Sequence, residues 1–352
     1  MDPGRLIPIT FSTQRIAPQQ QFALWFSRYE SFNTLHPLNP VAEGFEGSNE
    51  IWPFGSMALM RNLAPAMAFE RTMRHIRRDA IDHWVIRVAR SGRSRMRIGD
   101  TTLRSRGGQT LLFTLGQPHE GERSEADWIS LYIPRDSFPT LSAGLSQFGN
   151  RMLDTPGAAL LADYLVMLER RMSQTTLAEL PALVEGTRAM VSACLLHGAS
   201  GPLDTRHDAE VTRLERIRCV LRQHIGSPTL GPDKLCRLAG VSRSQLYRLF
   251  EPHGGVARYI QAQRLRFAHA MLGDSACRLT VAAIAERVGH FDASAFSRAF
   301  RQEFGYTPSE ARADFGGWLP GAATNAAIPE VGDFAGVLRH LGAAGKAGGS
   351  SA

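Results

Sequence analysis

The sequence predicts a two-domain α+β protein, in which a β-rich N-terminal domain ends in a pair of helices and is followed by an all-α domain. Three patterns support this prediction. Apolar residues alternate with polar ones from about residue 7 to residue 133, recur at helical spacing from residue 154 to residue 197, and do so again from residue 205 to residue 316. A chain of 352 residues is long enough for two separate hydrophobic cores.

The first region has the period-two pattern of β-strands. Examples are the runs 84–88 and 111–115, which have apolar residues at every second position and are followed by the glycines Gly92 and Gly116. Alternation bounded by turn residues is typical of antiparallel strands. Several such strands within about 130 residues predict a sandwich or a small barrel.

The second region contains two apolar stripes at helical spacing. They consist of Leu160, Leu161, Tyr164, Leu165 and Leu168, and of Leu180, Leu183, Val184, Met190, Val191, Cys194 and Leu195. Two amphipathic helices of this kind can form an antiparallel hairpin. We therefore predict that the first domain spans residues 1–197, and the small residues and proline of residues 198–205 predict a linker.

The third region, residues 206–316, contains one pattern twice. The first copy spans 235–250 around Gly240, and the second spans 284–300 around Gly289. In each copy a small apolar stripe precedes the glycine, and a second amphipathic segment follows it. This is the pattern of a helix-turn-helix, in which the first helix supports the second and the glycine reverses the chain at positive φ. One copy alone is also compatible with an ordinary helical hairpin, but two copies joined by one helix favour the double helix-turn-helix.

The second helix of each copy carries the predicted DNA-binding face. Ser242 and Asp292 directly precede these helices and are predicted N-caps. The inner faces are apolar, which leaves the opposite faces for the major grooves of DNA. The residues predicted to contact DNA are Arg243, Ser244, Tyr247, Arg248, Ser294, Ser297 and Arg298.

A helix predicted from Gly255 to Leu272 joins the two copies. Its 18 residues correspond to about 27 Å, a length that can place two recognition helices in successive major grooves on one side of the duplex. Residues 205–316 contain 17 Arg and Lys against 11 Asp and Glu, which accounts for nearly all of the formal net charge of +7. A basic domain favours an anionic partner such as DNA.

The last region, residues 317–352, is rich in glycine, alanine and proline. This composition predicts a disordered tail, apart from a helical turn or two around Phe334 to Leu341.

Several other kinds of site lack their sequence patterns. The four cysteines are far apart, so neither a zinc site nor a disulfide framework is predicted, and a reducing cytoplasm is the predicted location. No cofactor, metal site or catalytic residue is predicted, because the spacing of His36, His75, His83 and His119 does not fit a cupin metal site. No G-x-S-x-G, H-E-x-x-H or glycine-rich phosphate loop occurs, and no apolar run is long enough to span a bilayer.

The C-terminal domain resembles the AraC/XylS family of transcription regulators over about 110 residues. The resemblance rests on segments 238–250, 259–268, 284–290 and 296–312, and the last, which ends in Phe-Gly-Tyr-Thr-Pro-Ser-Glu-Ala-Arg, is highly specific. The chain departs from the family at Val256-Ala257, where a serine-proline pair is usual, and at His290, where phenylalanine is commoner. Neither change breaks a helix, but His290 could alter local packing or a phosphate contact.

The resemblance implies more than DNA binding. Members of this family typically carry an N-terminal cupin-like β-barrel that senses a small molecule, and they dimerise through helices that follow the barrel. The strand-then-helix order of residues 1–197 agrees with this architecture. The implied partners are an operator in double-stranded DNA, a small-molecule effector, a second copy of the chain and RNA polymerase. Effector binding would then shift DNA binding or polymerase recruitment.

Four residues of the N-terminal domain are candidates for an effector pocket: Trp52, Arg71, His83 and Trp84. An arginine would pair with a small carboxylate, and an indole would stack on the rest of the molecule. The alternative interpretation is that these are core tryptophans and a surface arginine.

The sequence therefore predicts a ligand-responsive, sequence-specific DNA-binding regulator that is not an enzyme. One alternative is a cupin-type enzyme that uses the basic helical domain to dock on DNA or on an acidic partner. Another is a regulator whose N-terminal domain binds a protein instead of a metabolite.

Overall fold

A computed structural model describes residues 4–78, 81–135, 138–196, 213–214, 216–221, 223–227, 229–251, 255–273, 277–304, 306–315 and 334–338. The chain divides into two compact units, which we treat separately. The N-terminal unit consists of Met1–Pro202 together with Ala323–Ala352, and the helical unit consists of Leu203–Ala322.

The N-terminal unit is built on two antiparallel sheets. Their strands are β1 (Ile9–Ser12), β2 (Thr34–Pro37), β3 (Ser48–Phe54), β4 (Met57–Ala64), β5 (Met67–Arg71), β6 (Trp84–Ala89), β7 (Arg93–Ile98), β8 (Thr101–Arg106), β9 (Thr110–Thr114), β10 (His119–Arg123), β11 (Ala126–Ile133) and β12 (Arg151–Leu153). The large sheet has the order β1-β3-β4-β11-β6-β9-β12, and the small sheet has the order β2-β5-β10-β7-β8. The antiparallel strands predicted from the period-two pattern are confirmed.

The main core of this unit lies between the two sheets. Val85 and Trp128 project into it from the large sheet, and Met67 and Phe69 project from the small sheet. Because side chains alternate between the two faces of a strand, Ile86 belongs to a second core on the outer face of the large sheet. The central strands of the large sheet are therefore apolar on both faces.

Helices complete the N-terminal unit. They are α1 (Pro18–Tyr29), α2 (Met73–Arg78), α3 (Pro139–Phe148), α4 (Pro156–Arg171) and α5 (Leu180–Val191). α1 packs Trp25 and Tyr29 into the main core. α4 packs Leu161, Leu165 and Leu168 into the second core, at the spacing that places them on one helix face. α4 and α5 confirm the two helices predicted between residues 154 and 197.

The helical unit has two cores that share one long helix. Its helices are α6 (Pro232–Ala239), α7 (Arg243–Phe250), α8 (Val256–Gly273), α9 (Val281–Arg287), α10 (Ala293–Phe304) and α11 (Pro308–Phe315). The first half of α8 adds Val256 and Ile260 to the core of α6 and α7, and its second half adds Leu265 and Leu272 to the core of α9 and α10. α8 is thus the predicted connector. Among the described helices, none is long and apolar enough to cross a membrane.

One helical turn near the end of the chain packs inside the N-terminal unit. This C-terminal turn, residues 334–338, buries Phe334, Val337 and Leu338 in the main core. The helical turn predicted in this region is confirmed. The core covers the apolar side chains of these five residues, which the prediction of a disordered tail excepts. The predicted linker 198–205 and the rest of the tail lie outside the described residues.

Candidate DNA-binding surface and effector site

The first predicted helix-turn-helix is formed by α6 and α7. α6 ends at Gly240, whose φ of 66° lies in the left-handed region that glycine adopts without strain. Ser242 caps α7: its hydroxyl accepts the backbone N–H of Gln245 at 3.2 Å, and the Gln245 side chain accepts the backbone N–H of Ser242 at 3.1 Å. This capping box satisfies two N–H groups that the helix cannot pair by itself.

The second helix-turn-helix, α9 and α10, repeats this construction. Gly289 has a φ of 80°, and Asp292 Oδ1 accepts the backbone N–H groups of Ser294 and Ala295 at 2.8 and 3.1 Å. These hydrogen bonds hold the pKa of Asp292 below its usual value. Both predicted glycine turns and both predicted N-caps are therefore confirmed.

The predicted DNA-contacting residues lie on the solvent side of α7 and α10. The exposed ones are Arg243, Ser244, Tyr247, Arg248, Ser294 and Arg298, and Ser297 is half-buried. Tyr247 is 52% exposed although it is aromatic. The inner faces of the same helices are buried, so each recognition helix presents one polar face to a partner. That this partner is DNA stays a prediction for these residues.

Arg243 is engaged within the helical unit. Its Nε donates to Asp233 Oδ1 at 2.6 Å, and this carboxylate raises the pKa of Arg243. Both side chains are exposed, and an exposed ion pair contributes little to stability. A phosphate could therefore replace Asp233 at little cost.

His290, the departure from the usual phenylalanine, packs between the turn and the connector helix. Its ring meets the Phe296 ring at a centroid distance of 5.4 Å. Its Nε2 lies 3.0 Å from the amide nitrogen of Gln261, which can only donate, so this Nε2 accepts. Burial lowers the pKa of His290 and favours the neutral ring that this bond requires. The histidine thus keeps the aromatic contact and adds a hydrogen bond to α8.

Two of the four predicted effector residues face the main core. Arg71 is fully buried, donates to the carbonyl oxygens of Phe32 and Leu115 at 2.7 and 3.2 Å, and stacks on the Phe32 ring at 4.1 Å. His83 Nε2 lies 2.9 Å from the carbonyl oxygen of Leu338 in the C-terminal turn. Both side chains are therefore held by groups of the protein itself.

The two predicted tryptophans lie elsewhere. Trp52 and Trp84 belong to the second core, between the large sheet and the helices, where the Arg135 guanidinium stacks on Trp84 at 4.2 Å. The large sheet separates them from Arg71 and His83, so the structure does not bring the four residues together.

The sequence predictions did not include two arginines in the main core. Arg87 of β6 and Arg123 of β10 flank one indole: their guanidinium carbons lie 5.5 and 4.3 Å from the Trp128 ring. Phe113 and Phe69 also face them, at 4.9 and 5.1 Å. The sequence signal was present, because Arg87 has the same strand parity as the inward-facing Val85.

These two arginines form no ion pair with a carboxylate in the described part of the chain. Arg87 donates to Ser130 Oγ at 3.1 Å and Arg123 to Met67 Sδ at 2.9 Å, while Arg123 Nε has no partner among the described residues. Burial, and next the charge of Arg87, lower the pKa of Arg123 to about 9. Burial of an unpaired charge is costly.

Other arginines of the N-terminal unit form ion pairs with carboxylates, as is usual for arginines that are partly buried. Arg61 and Arg90 both lie within 4 Å of carboxylate oxygens of Asp127 and Glu169. The arginine pair of the main core therefore differs from its neighbours in having two cations, aromatic walls and no described anion. Such a place suits an organic anion. In the described residues, no three His, Cys, Asp or Glu side chains are placed to hold a metal ion.

Comparisons with protein families agree with the two units. Residues 235–314 match the family described as a helix-turn-helix domain, and residues 25–196 match the family described as an AraC-binding-like domain. The first match covers both helix-turn-helix copies and the connector helix. The second covers most of the two sheets together with α4 and α5.

Individual relatives match over part of the chain. The raffinose operon transcriptional regulatory protein RafR of Pediococcus pentosaceus is 35% identical over 82 residues, which are 23% of this chain and 30% of the relative. The Msm operon regulatory protein of Streptococcus mutans is 27% identical over 112 residues, which are 31% of this chain and 39% of the relative. The chain thus matches about a third of the length of these curated relatives.

One solved structure is similar over most of the chain. The AraC-like transcriptional activator CuxR has 28% sequence identity and a TM-score of 0.54, and the match covers 73% of this chain and 93% of CuxR. The predicted two-domain α+β fold, with a cupin-like N-terminal unit and a helix-turn-helix unit, is confirmed.

Proposed function

We propose that this chain, which belongs to the AraC/XylS family of transcription regulators, is a ligand-responsive regulator that binds operator DNA through α7 and α10. The observation that carries the proposal is the duplicated construction: two capped helices, each on its own core, each with an exposed arginine-bearing face. The 18 residues of α8 give a connector of about 27 Å. This length suits two successive major grooves.

The DNA proposal is tested by substituting one arginine in each recognition helix. The operator is first obtained by sequencing the genomic fragments that the purified protein retains. Arg248→Ala or Arg298→Ala is then expected to lower affinity for that operator by about 1–3 kcal/mol if a base contact is lost. The matched control is Arg188→Ala, an exposed arginine of the N-terminal unit. Unchanged operator binding by both recognition-helix variants would refute the assigned face.

Phosphate contacts give the proposal a second, independent test. Log K is expected to fall with log salt by about 0.9 for each phosphate that the protein neutralises. If Arg298 contacts only phosphate, its alanine variant loses about one such contact. The substitution then weakens the binding of all DNA sequences equally. A salt slope near zero for the wild-type protein would contradict DNA binding by a basic surface.

The effector is an organic anion with an apolar body, such as a small carboxylate, seated between Arg87 and Arg123. Support comes from the two guanidinium groups that flank Trp128 without a described carboxylate partner. An anion would neutralise both charges by charge-assisted hydrogen bonds. The aromatic rings of this core would contact its apolar part.

This effector class is tested with an acid and its neutral amide, 3-phenylpropionate and 3-phenylpropionamide. The acid is expected to raise the melting temperature of the wild-type protein, and the amide is not. Arg123→Met should remove the effect of the acid without lowering the melting temperature of the free protein, because it removes a half-buried charge that has no described ion-pair partner. Arg95→Met, on the exposed face of the small sheet, is the control. A large loss of stability in Arg123→Met, with equal responses to acid and amide, would refute the site.

The regulator acts as a homodimer joined through α4. Leu160 and Met167 are 56% and 57% exposed, and their spacing of seven residues places both on one side of the helix. Met167→Glu is expected to produce monomers in analytical ultracentrifugation while circular dichroism stays unchanged. Asp163→Glu, on the same helix, is the control. A wild-type protein that sediments as a monomer with its operator bound would contradict the dimer.

The DNA-bound dimer alters transcription by contacting RNA polymerase. In transcription reconstituted from purified components, the operator-bearing promoter is expected to respond to the wild-type protein and not to Arg248→Ala. An equal response to both proteins would show that promoter binding is not the cause.

A further inference from the structure

We propose that the C-terminal turn is a built-in ligand of the N-terminal unit, which occupies the apolar end of the effector site and leaves when effector binds. This inference rests on the proposed function, because it takes the surroundings of Arg87 and Arg123 to be that site. It adds an occupant that is part of the chain itself.

Aromatic rings of the main core surround the turn as they would a small apolar ligand. The Phe334 ring centroid lies 5.0 Å from those of Tyr29 and Phe32, and 5.9 Å from that of Tyr132. The contacts with Phe32 and Tyr132 are edge-on, an arrangement that aromatic pairs favour. Phe334 and Leu338 are at most 2% exposed.

The polar contact of the turn also resembles ligand recognition. His83 Nε2 lies 2.9 Å from the Leu338 carbonyl oxygen, so this nitrogen must carry the proton and donate it. Arg71 stacks on Phe32, the ring that Phe334 meets edge-on. The two sequence-predicted pocket residues that face this core are thus the ones that contact or border the turn.

The turn and the arginine pair share one wall. Tyr132 contacts Phe334 and is hydrogen-bonded to Arg87. A molecule that places its anionic group between Arg87 and Arg123 and extends an apolar body along this wall meets Phe334. Ring and ligand then require the same space, and the two bound states exclude each other.

The turn is short enough to be displaced. It has five described residues, and half of the residues on either side of it, 316–333 and 339–352, are glycine or alanine. Because it belongs to the same chain, it competes at a high effective concentration, and by reciprocity the effector weakens docking of the turn. In sequence the turn follows the helical unit, so its release changes a segment of the chain that is continuous with that unit.

The proposal is tested with 8-anilinonaphthalene-1-sulfonate, an organic anion that fluoresces in apolar surroundings. If the turn is docked in about nine molecules of ten, its removal raises the apparent affinity about tenfold. Phe334→Asp in the full chain is expected to do so, and Gly336→Ala, in the same turn, should behave as wild type. The variant must keep a cooperative urea unfolding transition, since loosened cores also bind this dye. If Phe334→Asp does not fold, Leu338→Ala takes its place.

A peptide in trans separates competition from general loosening. A synthetic peptide of residues 330–342 is expected to displace the dye from Phe334→Asp, and the same peptide with aspartate at position 334 is not. Equal dye affinity for wild type and a folded variant, or no displacement by the native peptide, would overturn the proposal. Retention of operator DNA by the same samples shows that only this inference has failed. Loss of DNA retention by the wild-type protein would instead concern the proposed function.

Discussion

His119 makes the stability of the N-terminal unit depend on pH. The side chain is 6% exposed, and its Nδ1 lies 3.0 Å from the Gln117 carbonyl oxygen. The Phe69 and Phe113 rings meet it edge-on. Burial, followed by the charges of Arg71 and Arg87, lowers its pKa to about 3, against a bond to Gln117 that raises it.

The sign follows from proton binding. The unfolded chain takes up a proton at this histidine near pH 6.5, whereas the folded protein stays neutral until the pH approaches its lowered pKa of about 3. Stability from this group is therefore complete above about pH 6.5 and is lost as the pH falls through the interval down to about 3. The loss amounts to about 1.4 kcal/mol at pH 5.5 and about 2.7 kcal/mol at pH 4.5.

The assay is urea unfolding followed by tryptophan fluorescence. Four of the five tryptophans of the chain, Trp25, Trp52, Trp84 and Trp128, are buried in the N-terminal unit, so the signal reports mainly on that unit. His119→Gln keeps an amide donor for Gln117 and removes the titration. The difference in unfolding free energy between wild type and variant should shrink by about 1.4 kcal/mol from pH 7.5 to pH 5.5.

Contributions from the rest of the chain are common to both proteins and cancel in this difference. His36→Gln, on the exposed side of β2, is the matched control, and its curve should run parallel to that of wild type. A difference between wild type and His119→Gln that stays constant from pH 7.5 to pH 5.5 would show that His119 is not held neutral by burial.

Four further substitutions test the packing of the two units. Ser242→Ala removes the cap of α7 and should cost about 1 kcal/mol of the helical unit's stability; an unchanged far-UV melting curve would contradict the cap seen at Gln245. Phe300→Ala empties a fully buried site of the second helix-turn-helix core and should cost about 3–5 kcal/mol, and a loss below about 1 kcal/mol in urea would contradict that burial. Gly121→Ala places a Cβ against the backbone of Arg95 and should destabilise the N-terminal unit. Gly186→Ala, with open space around it in α5, should instead raise the stability of that unit by up to about 1 kcal/mol. Equal effects of the two substitutions would refute the close approach of Gly121 to Arg95.

The helical unit could be predicted from sequence almost completely. Its apolar stripes recur at helical spacing, and local signals such as Gly240, Ser242 and Asp292 mark where each helix ends or begins. These signals act over a few residues, so they do not depend on the rest of the fold. The exposed faces of α7 and α10 then follow as the sides opposite the buried ones.

The N-terminal unit was predictable only as a class of fold. Alternation assigns a residue to one of two faces but does not identify the partner strand, and β4 pairs with β11 across more than sixty residues, as Met60 does with Ser130. Because α4 and α5 cover the outer face of the large sheet, both faces are apolar. The pattern therefore does not predict on which face of the large sheet Trp52 and Trp84 lie.

The arginine pair and the burial of the C-terminal turn could not be predicted from the sequence, for related reasons. An arginine within a strand is ordinarily assigned to solvent, and only the position of Trp128 between Arg87 and Arg123 reveals their shared site. The burial of Phe334 depends on Tyr29 and Phe32, which lie about 300 residues earlier in the chain. No local pattern can encode such a contact.

Because Ala323–Ala352 belongs to the same unit as Met1–Pro202, the helical unit is inserted, in sequence, within the N-terminal unit. Cutting the chain after Pro202 would not separate two complete units. A fragment that stops there lacks Phe334, Val337 and Leu338 from the core it is meant to contain. Such a fragment would carry an open hollow next to Tyr132, and its ligand affinities would describe the excised piece and not the regulator.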